Sequence, residues 1–157
     1  ERVAMLVLEH HERWDGKGYP NGLDKDSIEI GARIIAVVDA FVAMTARKAY
    51  RNALLGYDAM KTLLADKGRR FDYEVIKAMI QSIGVYPIGS IVLMNDTSIV
   101  RVVGTHPEAP LRPLIRVLID ETGHLYPNNK GKLIDLKEYK NTFIVKAIDP
   151  LQYQQKK

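Results

Sequence analysis

Two adjacent histidines near the start of the chain are the first candidates for chemistry. His10 and His11 follow a stretch of helix-forming residues, and Glu12 comes directly after them. Imidazole nitrogens bind iron, manganese, zinc and nickel, so neighbouring histidines can reach one metal cluster where the backbone turns. A histidine pair at a helix end also has an ordinary use, because protonated imidazole stabilises the negative end of the helix dipole. The pair alone therefore leaves both a metal site and a surface or capping pair open.

A single aspartate interrupts the most apolar segment of the chain. Asp39 lies in the run 27–46, where apolar residues recur three to four positions apart and predict a helix buried nearly all round. A buried carboxylate is costly unless it is paired, hydrogen-bonded or bound to a metal. Asp39 could therefore join the histidines in a mixed nitrogen and oxygen ligand set. The alternatives are an ion pair with Arg33 or Arg47, or a position on an exposed face.

A glycine-rich loop follows the histidines. Gly16, Gly18, Pro20 and Gly22 fall within seven residues, and this density excludes a regular element while allowing the backbone to approach a ligand closely. The spacing is that of neither a P-loop nor a dinucleotide-binding fingerprint. On its glycines alone, the segment 12–28 is either a ligand-contacting loop or a tight connection between helices.

Two cations lie just beyond the apolar helix. Lys48 and Arg51 are three positions apart in a polar connection at 47–56. Both side chains can contact phosphate, and the planar guanidinium group can do so through two parallel hydrogen bonds. A solvated basic turn is the alternative.

Together these residues follow the order and spacing of one known family pattern. His10–Leu23 closely resembles the HHExxDGxGYPxGL signature of HD-GYP domains, and Ile30–Phe41 is similar to that family's ARIxxVADxFDA segment. Thr45–Arg51 resembles the family's TSxRPYR turn, and Phe71-Asp72 matches a downstream FDP-like position. The resemblance covers roughly residues 1–84, and this composite motif is far more specific than any single glycine motif.

The resemblance implies an all-helical, metal-dependent phosphodiesterase domain that hydrolyses cyclic-di-GMP in bacterial second-messenger signalling; some members act on cyclic-GMP-AMP. It implies two or three divalent metal ions, iron or manganese in preference to zinc. Bound metal ions lower the pKa of a water molecule and neutralise charge on a phosphodiester, while the protein contributes mainly positioning. Carried over by position, the metal ligands would be His10, His11 and Asp39, and the substrate-binding residues would be Gly18, Tyr19, Lys48 and Arg51.

The sequence also departs from the family pattern. The HD motif, which in the family precedes the histidine pair and supplies further ligands, is not found, so we expect a C-terminal part of an HD-GYP domain that is inactive alone. Val42 stands where the family often has aspartate, and Lys48-Ala49 replaces a common Arg-Pro. No residue is assigned as a catalytic acid or base. The alternative hypothesis is a non-catalytic module whose loop binds a nucleotide or a partner such as a diguanylate-cyclase-type domain.

The pattern of residues changes after about residue 84. Before it, the periodicity predicts helices, with Gly68 in a turn and Asp72 as a helix cap; the helices are expected at 1–11, 27–46, 57–66 and 72–83. After it, β-branched runs separated by turn formers predict a small antiparallel, barrel-like unit; these runs lie at 91–94, 99–103, 114–119 and 143–148. We therefore predict an α+β chain with domains at 1–84 and 85–157.

Composition narrows the partners and the location. The chain has no cysteine, which excludes disulfides and thiolate metal sites and leads us to expect a reducing, cytoplasmic location. The net charge of +4 suits an anionic partner such as a cyclic dinucleotide. There is no block of five basic residues, so a nucleic-acid partner is not predicted. No segment is long and apolar enough to predict a membrane span.

Two further expectations concern surfaces outside the motif. Without an HD half, the helices around Val3–Leu8 and 28–46 would expose apolar faces, which predicts a homo-oligomer formed through them. His106 and His124 fall among turn formers in the second half of the chain and are predicted to be ordinary turn histidines.

Overall fold

Helices occupy the first half of the chain, as the periodicity predicted. The computed structural model describes residues 2–46 and 54–150. Within them the helices lie within three residues of their predicted bounds; they are α1 (Arg2–Glu9), α2 (Ile30–Thr45), α3 (Gly56–Ala65) and α4 (Tyr73–Ile83). A 3₁₀ turn at Lys25–Ser27 lies in the predicted loop. No helix in the described part of the chain is long and apolar enough to cross a membrane.

The chain separates into two compact units. The first consists of residues 1–54 and 58–79, and the second of residues 55–57 and 80–157. The first unit contains the histidine pair, the glycine-rich loop and Asp39, so the candidate site is confined to it.

Helix α2 begins where α1 packs against it. The Glu29 side chain caps α2 by accepting a hydrogen bond from the backbone N–H of Gly31. A Cβ atom on Gly31 would lie 2.8 Å from Leu6 Cδ2, so glycine lets the Leu6 side chain of α1 pack directly on the start of α2. The backbone N–H of Glu29 also donates to the buried Glu9 side chain at 3.3 Å. These contacts fix the start of α2 beside the end of α1, where the histidines follow.

The prediction that α2 is buried nearly all round is wrong for this chain. Ala32 and Val37 are its buried residues. Five large apolar side chains on it are 37–52% exposed; they are Ile30, Ile34, Ile35, Val38 and Val42. The physical reason is that the described elements packed on α2 cover only part of its surface, whereas its apolar residues are spread nearly all round it.

The turn between α3 and α4 is organised by the buried carboxyl group of Asp66. Its oxygens accept hydrogen bonds from the backbone N–H groups of Arg70, at 2.7 Å, and Phe71, at 3.2 Å, and from Arg70 Nε at 3.0 Å. Gly68 lies in this turn with φ of 72°, as predicted. Asp72 caps α4 by accepting from the backbone N–H of Glu74 at 3.0 Å, which confirms the predicted cap.

The second unit is built on a five-stranded antiparallel sheet. Its strands are β1 (Ile91–Met94), β2 (Ile99–Gly104), β3 (Leu114–Ile119), β4 (Leu133–Asp135) and β5 (Ile144–Ile148), in the order β4-β3-β2-β1-β5. The α+β class is thus confirmed. The predicted barrel closure is not found, because the sheet ends at β4 and β5 rather than pairing them. Strand β4 was not predicted, since three residues are too few to show an alternating pattern.

The Asp66 carboxyl group should make the stability of the first unit depend on pH. Burial would raise its pKa, but hydrogen bonds from Arg70 and Phe71 outweigh burial and hold the pKa below 3.8. The stabilisation is therefore present above pH ~4 and is lost as the pH falls through the folded-state pKa. We predict that Asp66→Asn lowers the free energy of unfolding at pH 7 by about 1–3 kcal/mol, and that this difference shrinks towards pH 3.

Urea unfolding followed by circular dichroism at pH 7, 5 and 3 measures this difference. Glu74→Gln is the matched control, because the Glu74 side chain lies on α4 and is 74% exposed. A destabilisation by Asp66→Asn that is the same at all three pH values would contradict the assignment.

Candidate functional site

The end of α1 places the two histidines side by side. The helix ends at Glu9, and the backbone N–H of Glu12 donates to the Glu9 carbonyl at 2.8 Å. The rings of His10 and His11 lie 3.8 Å apart between centroids, tilted by 39°. His10 is half-buried and His11 is exposed. The turn at the helix end therefore gathers the two imidazoles at one place, and the choice between a metal site and a surface or capping pair stays open.

The His10 ring is held at the end of α1 by a hydrogen bond to the backbone. His10 Nδ1 lies 2.6 Å from the carbonyl oxygen of Val7. A carbonyl oxygen can only accept, so Nδ1 carries the proton, and in neutral imidazole Nε2 then carries the lone pair. Metal-bound histidines commonly make this hydrogen bond with their other nitrogen, because it fixes the tautomer and the ring orientation.

The glycine-rich loop folds back onto the histidines. The Tyr19 ring stacks on His11 with 4.9 Å between centroids, and the backbone N–H of Tyr19 donates to the His11 carbonyl at 3.3 Å. A Cβ atom on Gly18 would lie 2.4 Å from the Arg13 backbone nitrogen, so any side chain there would force the loop away. Gly18 thus permits the close backbone approach, and Tyr19 keeps 61% of its surface exposed.

A buried glutamate holds the far side of this loop. Glu12 is 4% exposed, and its two carboxyl oxygens accept hydrogen bonds from the backbone N–H groups of Asn21, at 2.6 Å, and Leu23, at 3.0 Å. We assigned no role to Glu12 from the sequence. The available signal was its position directly before a loop whose backbone N–H groups have no helix or strand partners.

The loop is also tied to the turn between α3 and α4. The backbone N–H of Trp14 donates to the Arg70 carbonyl at 2.9 Å. Within the loop, Arg13 pairs with Asp15 through two hydrogen bonds of 3.0 and 2.7 Å. The hydrogen bond from Arg13 is the main cause that lowers the pKa of Asp15 below 3.8. The segment between the histidines and Tyr19 is thus tied to the α3–α4 turn through the Trp14 backbone, and the Arg13–Asp15 pair stabilises it internally.

Arg33 joins α2 to its surroundings. Its guanidinium group lies 3.1 Å from Asp26, 3.2 Å from Asp72 and 5.2 Å from the Trp14 ring centroid, and Nε donates to the Ile28 carbonyl at 2.8 Å. The sequence left an ion pair between Arg33 and Asp39 as one alternative. In the structure, the carboxylates that pair with Arg33 are those of Asp26 and Asp72.

The structure does not bring Asp39 together with the histidines. Asp39 is exposed on α2, so the expectation of a buried carboxylate is wrong. The reason is that the described elements cover only part of the surface of α2. Among residues 2–46 and 54–150, no group of three or more His, Cys, Asp or Glu could hold a metal ion. The ligand role of Asp39 stays a prediction. Arg47, Lys48 and Arg51 lie outside the described residues.

The two histidines of the second unit have structural partners there. His106 Nε2 lies 3.0 Å from Asp135 Oδ1, which links the β2–β3 loop to β4. The backbone N–H of His124 donates to Asp120 at 2.9 Å, and its ring meets Tyr126 edge-on at 4.7 Å. Hydrogen bonds, first from the Thr122 hydroxyl, lower the pKa of Asp120 to about 2. Both histidines thus serve turns and loops, as expected.

Two family models match the chain. The model of the HD domain matches residues 1–75, and the model of the KOW domain associated with HD domain matches residues 91–156. The first match contains the histidine pair, the glycine-rich loop and α2. The second contains all five strands of the sheet.

Several curated relatives are similar to this chain. The cyclic di-GMP phosphodiesterase PdeB of Borreliella burgdorferi is 31% identical over 147 residues, which are 94% of this chain and 38% of that protein. The cyclic di-GMP phosphodiesterase response regulator RpfG of Xanthomonas campestris pv. campestris is 41% identical over 50% of this chain and 21% of its own length. A 3'3'-cGAMP-specific phosphodiesterase of Vibrio cholerae is 39% identical over 48% of this chain and 15% of its own length.

The chain thus spans less than two-fifths of the length of each of these relatives. The match to the HD domain includes the run from His10 to Leu23 and the folded loop that this run forms, and the match to the associated KOW domain covers the sheet that follows. The chain belongs to the HD domain family, as a member of its HD-GYP type.

Proposed function

We propose that this chain contributes part of the metal and nucleotide site of a phosphodiesterase that hydrolyses cyclic-di-GMP in second-messenger signalling. The observation that carries the proposal is the packing of Tyr19 on His11 at 4.9 Å, which unites the two halves of the HD-GYP signature. The names of the relatives support the substrate class. One relative is named as specific for 3'3'-cGAMP. A hybrid dinucleotide is therefore the alternative substrate to test beside cyclic-di-GMP.

His10, His11 and Asp39 are the proposed ligands for divalent metal ions. Their imidazole and carboxylate donors suit first-row metals, and the hydrogen bond from His10 Nδ1 to Val7 supports a ligand role for Nε2. Because the described residues do not group three such donors, they form at most part of a ligand set, and further ligands must come from other residues. We propose two or three ions in the complete site, iron or manganese in preference to zinc.

The loop provides the proposed nucleotide contacts. Tyr19 presents an exposed aromatic face on which a guanine base can stack, and Gly18 allows the backbone beside it to approach closely. Lys48 and Arg51 are proposed to meet the phosphates. This chain would thus orient the dinucleotide, and no residue in it is assigned a proton-transfer step.

A non-catalytic binding module is the second candidate. It is favoured by the incomplete ligand set of residues 2–46 and 54–150, which leaves the loop able to contact a nucleotide or a diguanylate-cyclase-type partner without hydrolysis. The two candidates differ in whether bound metal depends on His10 and His11.

The proposed metal ligands predict a specific dependence of metal content on the histidine pair. We expect the purified protein, incubated with manganese or iron and desalted, to retain metal in elemental analysis, and His11→Ala to lose most of it. His124→Ala is the matched control, because His124 lies in the second unit and belongs to no proposed site. Absence of metal from the unaltered protein, or equal loss in both variants, would favour the binding module instead.

The Glu12 contacts predict a graded effect on nucleotide binding. Glu12→Ala removes both acceptors for Asn21 and Leu23, so we expect the loop to open and cyclic-di-GMP affinity to fall about tenfold or more, since two hydrogen bonds of ~1 kcal/mol each are lost. Glu12→Gln keeps one acceptor and should lie between the unaltered protein and Glu12→Ala. Titration with a fluorescent cyclic-di-GMP measures affinity, and amide hydrogen exchange at Asn21 and Leu23 reports on the loop. Faster amide exchange in Glu12→Ala with unchanged cyclic-di-GMP affinity would show that the closed loop is not required for binding.

The exposed apolar faces of α1 and α2 support the proposal of a homo-oligomer. Val3, Val7 and Leu8 on α1 are 53–74% exposed, in addition to the exposed side chains of α2. Exposed apolar side chains on both helices favour an interaction surface, because large apolar patches are uncommon on soluble monomers. We propose that a second copy of the chain covers these faces when no other element does.

This proposal predicts that Val7→Glu with Val42→Glu converts a dimer to a monomer. Light scattering coupled to size exclusion measures the mass, and Val145→Glu on β5, also at an exposed valine, is the control that should remain dimeric. A monodisperse monomer for the unaltered protein, with no bound partner, would refute the dimer.

A further inference from the structure

A charged cleft lies in the first unit beside the glycine-rich loop. Its cavity volume is about 260 Å³. One wall comes from the loop and the other from the turn between α3 and α4. All of its lining side chains are charged; they are Arg13, Asp15, Lys17, Asp66, Arg69 and Arg70.

The two acidic groups of this charged cleft are already occupied. Asp15 accepts two hydrogen bonds from Arg13 and one from the Lys17 backbone N–H. Asp66 accepts from Arg70 and from the backbone beside it. Each carboxyl group is therefore paired with one arginine of the cleft.

Two cations of the cleft form no ion pair with any described residue. These are Lys17 and Arg69, and the Arg69 side chain makes one long hydrogen bond, of 3.4 Å, from Nε to the Asp66 carbonyl. The six lining groups thus carry a net charge of +2 when the side chains are ionised. An excess of two positive charges within one concave surface attracts a dianion.

We infer that the charged cleft binds a phosphate group. Lys17 supplies a point charge, and Arg69 supplies a planar fork that can bind two phosphate oxygens in parallel. The cavity is smaller than the ~300–1,000 Å³ of typical drug-sized ligand pockets, so it suits a phosphate group rather than a whole dinucleotide. A carboxylate carries one charge and would leave the second cation unmatched.

The walls of the cleft are held in place before any ligand binds. The hydrogen bond from the Trp14 backbone N–H to the Arg70 carbonyl, at 2.9 Å, joins the loop wall to the turn wall. Arg13 and Arg70 are fixed by their carboxyl partners, so a phosphate needs to order only the side chains of Lys17 and Arg69. This preorganisation lowers the entropic cost of binding.

Phosphate held in this cleft would brace the loop that carries Tyr19 against the turn at 66–70. The inference is independent of hydrolysis and of metal binding. The phosphate could be free inorganic phosphate or the terminal phosphate of a mononucleotide. Both share the chemistry that Lys17 and Arg69 recognise.

The test is a titration of the ¹⁵N-labelled protein, with EDTA present so that bound metal cannot capture the anion. Inorganic phosphate is the first probe, and we expect saturable amide shifts at Lys17, Arg69 and Arg70. Lys17→Ala with Arg69→Ala should weaken binding about tenfold, which corresponds to the loss of two exposed charge contacts. Lys61→Ala, at an exposed lysine on α3, should bind as the unaltered protein does.

GMP and guanosine distinguish the source of the phosphate group. Tighter binding of GMP than of phosphate at the same amides, with no shifts from guanosine, would assign the cleft to a nucleotide phosphate. Equal binding of GMP and phosphate would assign it to the phosphate group alone. No saturable shifts at 17, 69 and 70 with either probe, or equal affinity in the double variant and Lys61→Ala, would overturn the inference.

Discussion

The hydrogen bonds of the Glu12 carboxyl group are the constraint on which the candidate site depends. A loop with glycine at three of seven positions has little conformational preference of its own, and its N–H groups need partners that a helix or strand would otherwise supply. Glu12 supplies two of them at Asn21 and Leu23. Burial of a carboxyl group is tolerated because it accepts these bonds, so the loop and Glu12 stabilise each other. In this closed form Tyr19 lies on His11, with 4.9 Å between the ring centroids.

Arg33 plays the corresponding role for α2. Its guanidinium group is shared between Asp26, Asp72 and the Trp14 ring, so one side chain fixes the rotation of α2 relative to the loop and to the start of α4. Asp39 is not part of this network and is exposed on α2.

Periodicity was sufficient for the elements but not for their enclosure. The bounds of β1 at 91–94 and β3 at 114–119 were predicted without error, since β-branched runs between turn formers are local signals. The burial of α2 was not predictable in this way. Apolar residues nearly all round a helix show which side chains other elements could cover, but they do not show which elements pack there. The roles of Glu12 and Asp66 were missed because their acceptors serve backbone groups up to eleven residues away, which no spacing rule identifies.

The proposed ligands and the exposed apolar side chains belong to the same two helices or to residues directly after them. His10 and His11 follow α1, and Asp39 lies on α2 next to the exposed Val38. A carboxylate among exposed apolar side chains is expected where another element packs onto a helix and encloses both. One packing event could then bury the apolar side chains and bring additional donors towards the histidines. Metal binding at such a site would be coupled to that association, because the ion would add its binding free energy to the enclosed state and not to the open one.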